Sequence, residues 1–192
     1  MEMQRLLLWD DVMFSVLHST FGIFPVWDII IIFFAEYAQY VIGAYFFYLV
    51  VMTGRNRKDQ WLLLTSTFVS LILARLVVVE AIRIFWNRPR PFTVFQFIPP
   101  FPEWTASFPS GHATFFFALA MMVWLHHRPH ARVFLYSAVC ISLARVIAGV
   151  HFPSDVIAGV IIAVTVAYFS FHFIDPMLRR RIAVEVNAEG LL

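Results

Sequence analysis

Long apolar runs separated by short polar clusters dominate the chain. Five of these runs read as spanning helices: about Trp27 to Met52, Trp61 to about Phe85, about Ser110 to Leu125, about Arg132 to Val150, and about Pro153 to Ile174. A helix needs roughly 17–25 apolar residues to cross about 30 Å of hydrocarbon. Each run approaches or exceeds that length except the third, whose first turn is expected to sit deep because it is functional. Residues 5–20 differ, mixing Leu, Val and Phe with Asp10, Asp11 and His18. They read as an amphipathic or half-inserted helix that ends near Gly22 and Pro25. The predicted fold class is therefore all-α: a polytopic membrane helix bundle with five long transmembrane helices and a short N-terminal interfacial helix. One domain over residues 1–192 is expected, with an interfacial N-terminal part (1–26), an outer loop (86–109) and a cytoplasmic tail (175–192). The apolar run Leu6-Leu7-Leu8 is too short for a cleaved signal peptide, so the first span is expected to act as its own insertion signal.

Composition narrows the function classes. Of 192 residues, 61% are hydrophobic, 18% aromatic and only 14% charged, and mean hydropathy is +0.78. An ordinary soluble domain is roughly 45–50% apolar and about 25% charged. A chain this short cannot bury such an excess, which argues against a soluble enzyme, a disordered chain or a disulfide-rich module. The net charge of +2 is small and its basic residues are clustered, so no nucleic-acid partner is expected. Cys140 is the only cysteine, which excludes an intrachain disulfide and a multi-cysteine metal site.

Orientation follows from the loops. Arg55, Arg57 and Lys58 join spans one and two; His126, His127, Arg128, His130 and Arg132 join spans three and four; Arg179, Arg180 and Arg181 follow span five. In an alternating bundle these clusters share one side, expected to be cytoplasmic. Trp27, Trp86 and Trp104 then mark the outer interface, and Trp61 and Trp124 the inner one. The loop 86–109 carries Pro89, Pro91, Pro99, Pro100, Pro102 and Pro109. It is expected to form a stiff, extended cover over one end of the bundle.

The polar residues at that outer end break the positive-inside bias. Arg83, Arg88, Arg90 and Arg145 arrive there with Ser110-Gly111-His112, His151 and Asp155. Snorkelling accounts for one or two arginines but not for two histidines and a carboxylate beside them. The set suits phosphoryl transfer. Guanidinium forks bind phosphate oxygens in pairs, and the start of a helix at Ser110 and Gly111 offers free N–H groups to an anion. His151 is a candidate in-line nucleophile, Asp155 a candidate orienting carboxylate and His112 a candidate acid for the departing oxygen.

These residues carry a family likeness. Arg83, six residues, then Arg90-Pro91 resembles a first motif of Lys, six residues, Arg-Pro. Pro109-Ser110-Gly111-His112 matches a second. Ala144-Arg145, His151 and Asp155 resemble a third, Ser-Arg, five residues, His, three residues, Asp. Together they resemble the type 2 phosphatidic acid phosphatase superfamily of membrane lipid phosphatases. The resemblance implies that His151 becomes a phosphohistidine, Asp155 orients it and His112 is the general acid. It also implies that Arg83, Arg90, Arg145, Ser110 and Gly111 bind phosphate, and that neither metal nor cofactor is needed. Arg83 stands where the family has lysine and Ala144 where it has serine. Length and the segment Phe34-Ala35-Glu36-Tyr37 further resemble bacterial undecaprenyl-diphosphate phosphatases of the bacitracin-resistance type. That implies a polyprenyl diphosphate substrate at the outer leaflet of the cell membrane, cleaved to the monophosphate carrier used in envelope synthesis. The alternatives kept open are a phosphatidylglycerophosphate or phosphatidate phosphatase, a lipid phosphotransferase, and a non-enzymatic binder or transporter of lipid phosphates. Oligomeric state is left open.

Other polar residues are weighed the same way. Glu36 and Arg75 lie roughly 12 and 15 Å below the outer surface at about 1.5 Å per residue. They are expected to pair, as a structural ion pair or as a polar lining that reads the substrate. Glu80 is expected to hold Arg83 one helical turn on. His126, His127 and His130 read as an interfacial charge cluster rather than a metal site. His18 and His172 read as structural, and Phe115-Phe116-Phe117 as packing or lipid-facing surface.

Overall fold

A computed structural model describes residues 2–53, 57–101 and 103–188. Arg55 of the first basic loop, Pro102 of the outer loop and the last four residues of the tail lie outside the described residues. The described residues are helical throughout, apart from turns and irregular loops. The elements are α1 (Glu2–His18), α2 (Pro25–Thr53), α3 (Arg57–Phe85), the single turn α4 (Pro91–Val94), α5 (Gly111–Leu125) and α6 (Ala131–Ile147). The last helix, α7, runs from Pro153–Phe169 through Ser170–Ile174 into Asp175–Ala188.

Three helices, Pro25–Thr53, Arg57–Phe85 and Pro153–Arg181, are long and apolar enough to cross a membrane, at 29 residues each. At 1.5 Å per residue each reaches about 44 Å. The other two expected spans are shorter, with 15 residues in α5 and 17 in α6. Each long helix contains a π-helical stretch: Phe33–Tyr37 in α2, Ile72–Val78 in α3 and Ser170–Ile174 in α7. Such a stretch adds a residue to the turn and re-aims the side chains on it, and it is often found at functional sites.

α5 lies at the centre, packed on α6, α7 and α3. Its core face holds Ala113, Ala118, Ala120 and Leu119, with Ala138 of α6 and Ala163 of α7 also buried. Small residues let helix backbones approach closely where no water-driven collapse operates. One such close approach is at Gly159, where a Cβ would sit 2.8 Å from the Ser110 carbonyl oxygen.

Local signals explain the helix starts and stops around the site. Pro25, Pro91 and Pro153 each open a helix, where a missing N–H costs nothing. α6 ends in a Schellman turn: the Val150 N–H donates to the Arg145 carbonyl (3.1 Å) and the Gly149 N–H to that of Val146 (3.0 Å). Gly149 takes φ +83°, and a Cβ there would also meet the Phe97 ring at 2.5 Å. This cap reverses the chain sharply and delivers His151 beside the end of α6.

The N-terminal helix is more than an interfacial element. Phe14 and Asp10 are both 2% exposed, and α1 packs on α6 and α7. Phe14 forms a core cluster with Val146 and Phe152. His18 is held in place: its Nδ1 lies 2.8 Å from the Ile147 carbonyl oxygen, and its ring stacks on Phe97.

At the opposite end, Arg128 pairs with Asp59 (2.7 Å) and donates to the Thr53 carbonyl (3.0 Å). His126, read from sequence as part of an interfacial charge cluster, has an acidic partner. Its buried Nε2 lies 3.1 Å from Ser66 Oγ and 3.3 Å from the carboxylate of Asp175. That acidic partner is 49 positions away in sequence, which hid it. The basic connections thus gather at one end of the bundle and the Ser110, His151 and Asp155 cluster at the other.

Candidate active site

The site sits where the start of α5, the α6–α7 corner and the loop after α3 converge. His151 is 1% exposed. Its Nδ1 lies 3.5 Å from Asp155 Oδ2, within ion-pair reach, without hydrogen-bond alignment in this state. Its Nε2 faces the arginines, 3.5 Å from Arg90 Nη1. Burial pushes the imidazole of His151 down to about 4, Asp155 opposing that shift and Arg90 and Arg145 adding to it. The ring is therefore neutral at pH 7 and its free lone pair is available.

Asp155 is fully buried and saturated with donors. Its Oδ2 accepts from the Phe152 N–H (2.9 Å) and from Ser107 Oγ, and its Oδ1 from Arg88 Nη1 (2.8 Å). The Phe152 contact caps the start of α7, so the residue that would orient His151 also fixes its own helix. Arg88 in turn bridges to α1: its Nη2 donates to Asp10 Oδ2 at 2.6 Å, and its guanidinium lies 4.0 Å over the Phe152 ring. Asp10 also accepts from the Ser154 N–H (2.9 Å) and Oγ.

Three further guanidinium groups wall the site. Arg90, 4% exposed, donates to the carbonyls of Val150 and Thr105 (both 2.8 Å). Burial pushes its guanidinium down to about 10, Glu103 opposing, which leaves it a cation at pH 7. Arg145, fully buried, donates to the Ala35 carbonyl (3.0 Å) and lies 3.5 Å from His112 Nε2. Arg83 donates to the Pro109 carbonyl (3.1 Å) and to Glu80 (3.2 Å), as expected for the latter. Ser110 caps α5, 3.5 Å from the Ala113 N–H, and its own N–H donates to the Asp155 carbonyl (3.0 Å). All eight expected catalytic and phosphate-binding residues therefore gather at one end of the fold.

One expected pair does not form. Arg75 pairs with Glu80 of its own helix, while Glu36 approaches Arg145 at 3.9 Å. Both residues lie in π-helical stretches, which re-aim them away from the faces that α-helical spacing predicts.

Glu103 was not singled out from sequence. Its carboxylate bridges Arg145 and Arg90, through Oε1 and Oε2 respectively. Burial alone would raise its pKa, but Arg145 and Arg90 hold it below the ordinary carboxylate range. The available signal was that Glu103 is the sole acidic residue of loop 86–109. Asp10 and Arg88 were visible as charges but without assigned partners. Among the described residues, no three His, Cys, Asp or Glu side chains group so as to hold a metal ion.

Comparison with known proteins places this geometry. Residues 59–178 match the PAP2 superfamily model. The chain belongs to the PAP2 superfamily. It is 26% identical over 165 residues to undecaprenyl-diphosphatase BcrC of Bacillus subtilis, covering 84% of this chain and 82% of that one. It is 35% identical over 125 residues to a lipid A 1-phosphatase of Rhizobium johnstonii, covering 62% of this chain and 42% of the relative. The crystal structure of Aquifex aeolicus LpxE superimposes with a TM-score of 0.68 at 26% identity, covering 84% of this chain and 93% of that one. The apolar helices and these relatives make the chain a membrane protein of a lipid phosphatase superfamily. α1 and the whole of α2 lie outside the matched family region.

Proposed function

We propose that the protein is an integral membrane phosphatase that hydrolyses a lipid diphosphate, undecaprenyl diphosphate in the first place, through a phosphohistidine on His151. The observation that carries this reading is His151 itself: a neutral buried imidazole with Nδ1 toward Asp155 and Nε2 toward Arg90. The 82% coverage of an undecaprenyl-diphosphatase supports the choice of substrate.

In the proposed reaction the distal phosphate displaces Glu103 and takes up Arg90, Arg145, Arg83 and the free N–H groups at Gly111. His151 Nε2 attacks phosphorus in line and the bridging P–O bond breaks. The phosphate on Arg145 frees His112 Nε2 from that guanidinium, so His112 can carry the proton it gives to the departing lipid phosphate oxygen. Asp155 stabilises the imidazolium that His151 becomes. Water then attacks phosphorus, the P–N bond breaks and its proton returns to His112, releasing inorganic phosphate. Several fixed donors aimed at the equatorial oxygens supply the electrostatic part of such catalysis. No metal enters this scheme.

In the same reading α2, α3, α5, α6 and α7 all span the bilayer, and the site faces the outer side because the basic connections gather at the other end. The test is phosphate release by the purified chain in detergent, with EDTA present, from undecaprenyl diphosphate, phosphatidate and phosphatidylglycerophosphate. Turnover of the diphosphate with EDTA is expected. Turnover of glycerolipid phosphates alone would favour the second enzymatic reading. Binding without turnover of any of them would leave a lipid-phosphate binder.

A further inference from the structure

Arg75 is a guanidinium near the site to which the reaction above gives no task, and unlike Arg88 it does not hold Asp155. It sits in the middle of α3, about two turns from Arg83 and within the π-helical stretch Ile72–Val78. A charge at such depth in a spanning helix is expensive and points to a pathway or site. Its side chain is 28% exposed, against 7%, 4% and 0% for Arg83, Arg90 and Arg145. What it is exposed to is a groove of about 280 Å³, lined also by Gly111, His112, Gln39, Tyr40 and Phe115. The guanidinium lies against the start of α5, so close that a Cβ on Gly111 would stand 2.9 Å from its Cζ. Nη1 is taken by Glu80. Nε and Nη2 carry no hydrogen bond from the described residues, so two donor positions are free beside the groove.

His112 lines this groove, and its Nε2 lies 3.5 Å from Arg145 Nη1. In the reaction proposed above, His112 protonates the departing oxygen, and the groove it shares with Arg75 is open to the group that departs. We infer that Arg75 binds the proximal phosphate of a lipid diphosphate and selects diphosphates over monoesters. This inference rests on the phosphatase reading of the site. In a diphosphate, the bond that breaks leaves charge on the proximal phosphate, and a fixed guanidinium there stabilises that charge as it develops. In a monoester the leaving oxygen is carried by carbon, and no second phosphate reaches Arg75. The aromatic walls at Tyr40 and Phe115 then take the first part of the lipid chain.

The experiment compares farnesyl diphosphate with phosphatidate, using the purified chain in detergent. Arg75→Gln is expected to lower kcat/KM for the diphosphate 30- to 100-fold and that for phosphatidate less than 3-fold. Arg75→Lys keeps the charge and should fall between Arg75→Gln and the parent on the diphosphate. Glu80→Gln is the control for an indirect effect, because Glu80 also holds Arg83; it should depress phosphatidate as well as the diphosphate, which Arg75→Gln should not. Equal losses on both substrates in Arg75→Gln would overturn the inference while leaving the phosphatase reading intact. A parent protein active on phosphatidate but not on the diphosphate would overturn it as well. A parent inactive on every lipid phosphate would instead remove the phosphatase reading beneath it.

Discussion

Asp10→Asn isolates the contribution of a helix outside the matched family region. Asp10 is nearly sealed from solvent, at 2% exposure, and holds Arg88 Nη2 at 2.6 Å. Arg88 then holds Asp155, the carboxylate behind His151. Asparagine keeps the shape and one acceptor for the Ser154 N–H but removes the charge. A hydrogen bond to a charged group contributes about 1.5–3 kcal/mol. Arg88 retains Asp155 and Ser154 Oγ (2.7 Å), and its side chain is 13% exposed, so the lower half of that range applies. If the loss is felt in the alignment of Asp155 as His151 becomes positive, about 1.5–2 kcal/mol at 1.36 kcal/mol per decade is roughly a 10- to 30-fold fall in kcat. KM should move little, since Asp10 touches no phosphate-binding group. The assay is steady-state phosphate release, with thermal unfolding measured in parallel. A variant with parental kcat in its folded fraction and only a lower Tm would refute the reasoning, because Asp10 would then merely anchor α1.

Three other outcomes follow. Gly159→Ala places a Cβ 2.8 Å from the Ser110 carbonyl, which is backbone and cannot swing away; a loss of about 1–3 kcal/mol in stability is expected in detergent unfolding, with phosphate binding weakened as the start of α5 is pushed aside. NMR titration of ring-labelled histidine should find His151 neutral down to about pH 4 in the free protein. Because that lies below the ordinary value of about 6.5, the native state should lose stability as pH falls from about 6.5 towards 4, and His151→Gln should lose less over that window. Glu103→Gln removes the carboxylate charge held by Arg90 and Arg145, so vanadate inhibition should tighten several-fold; unchanged or weaker inhibition would mean that Glu103 does not compete for the phosphate position.

What sequence conveyed and what it hid have separate physical causes. The motif residues were legible because short-range geometry fixes them: the Schellman turn at Gly149 places His151, the Asp155 cap starts α7, and Ser110 starts α5. The all-helical class was legible from hydropathy. The partners of Arg75 and Glu36 were not, because π-helical stretches break the spacing on which the pairing was judged. Asp10 and Glu103 reach the site across 144 and 42 positions, to Ser154 and Arg145, and no local period encodes such meetings. His126 and Asp175 were hidden for the same reason. The N-terminal helix looked interfacial because its outward residues, Leu8, Val12 and Val16, are apolar, while the polar residue that matters points inward.

The central claim is that phosphorus passes through the imidazole of His151. The most direct measurement is to mix the enzyme with a lipid diphosphate carrying ³²P in its distal phosphate, stop the reaction in alkali within milliseconds, and map the labelled peptide by mass spectrometry. An acid-labile, alkali-stable phosphate on His151, absent in His151→Ala, is the predicted result. Label on another residue, or full turnover by His151→Ala, would contradict the account.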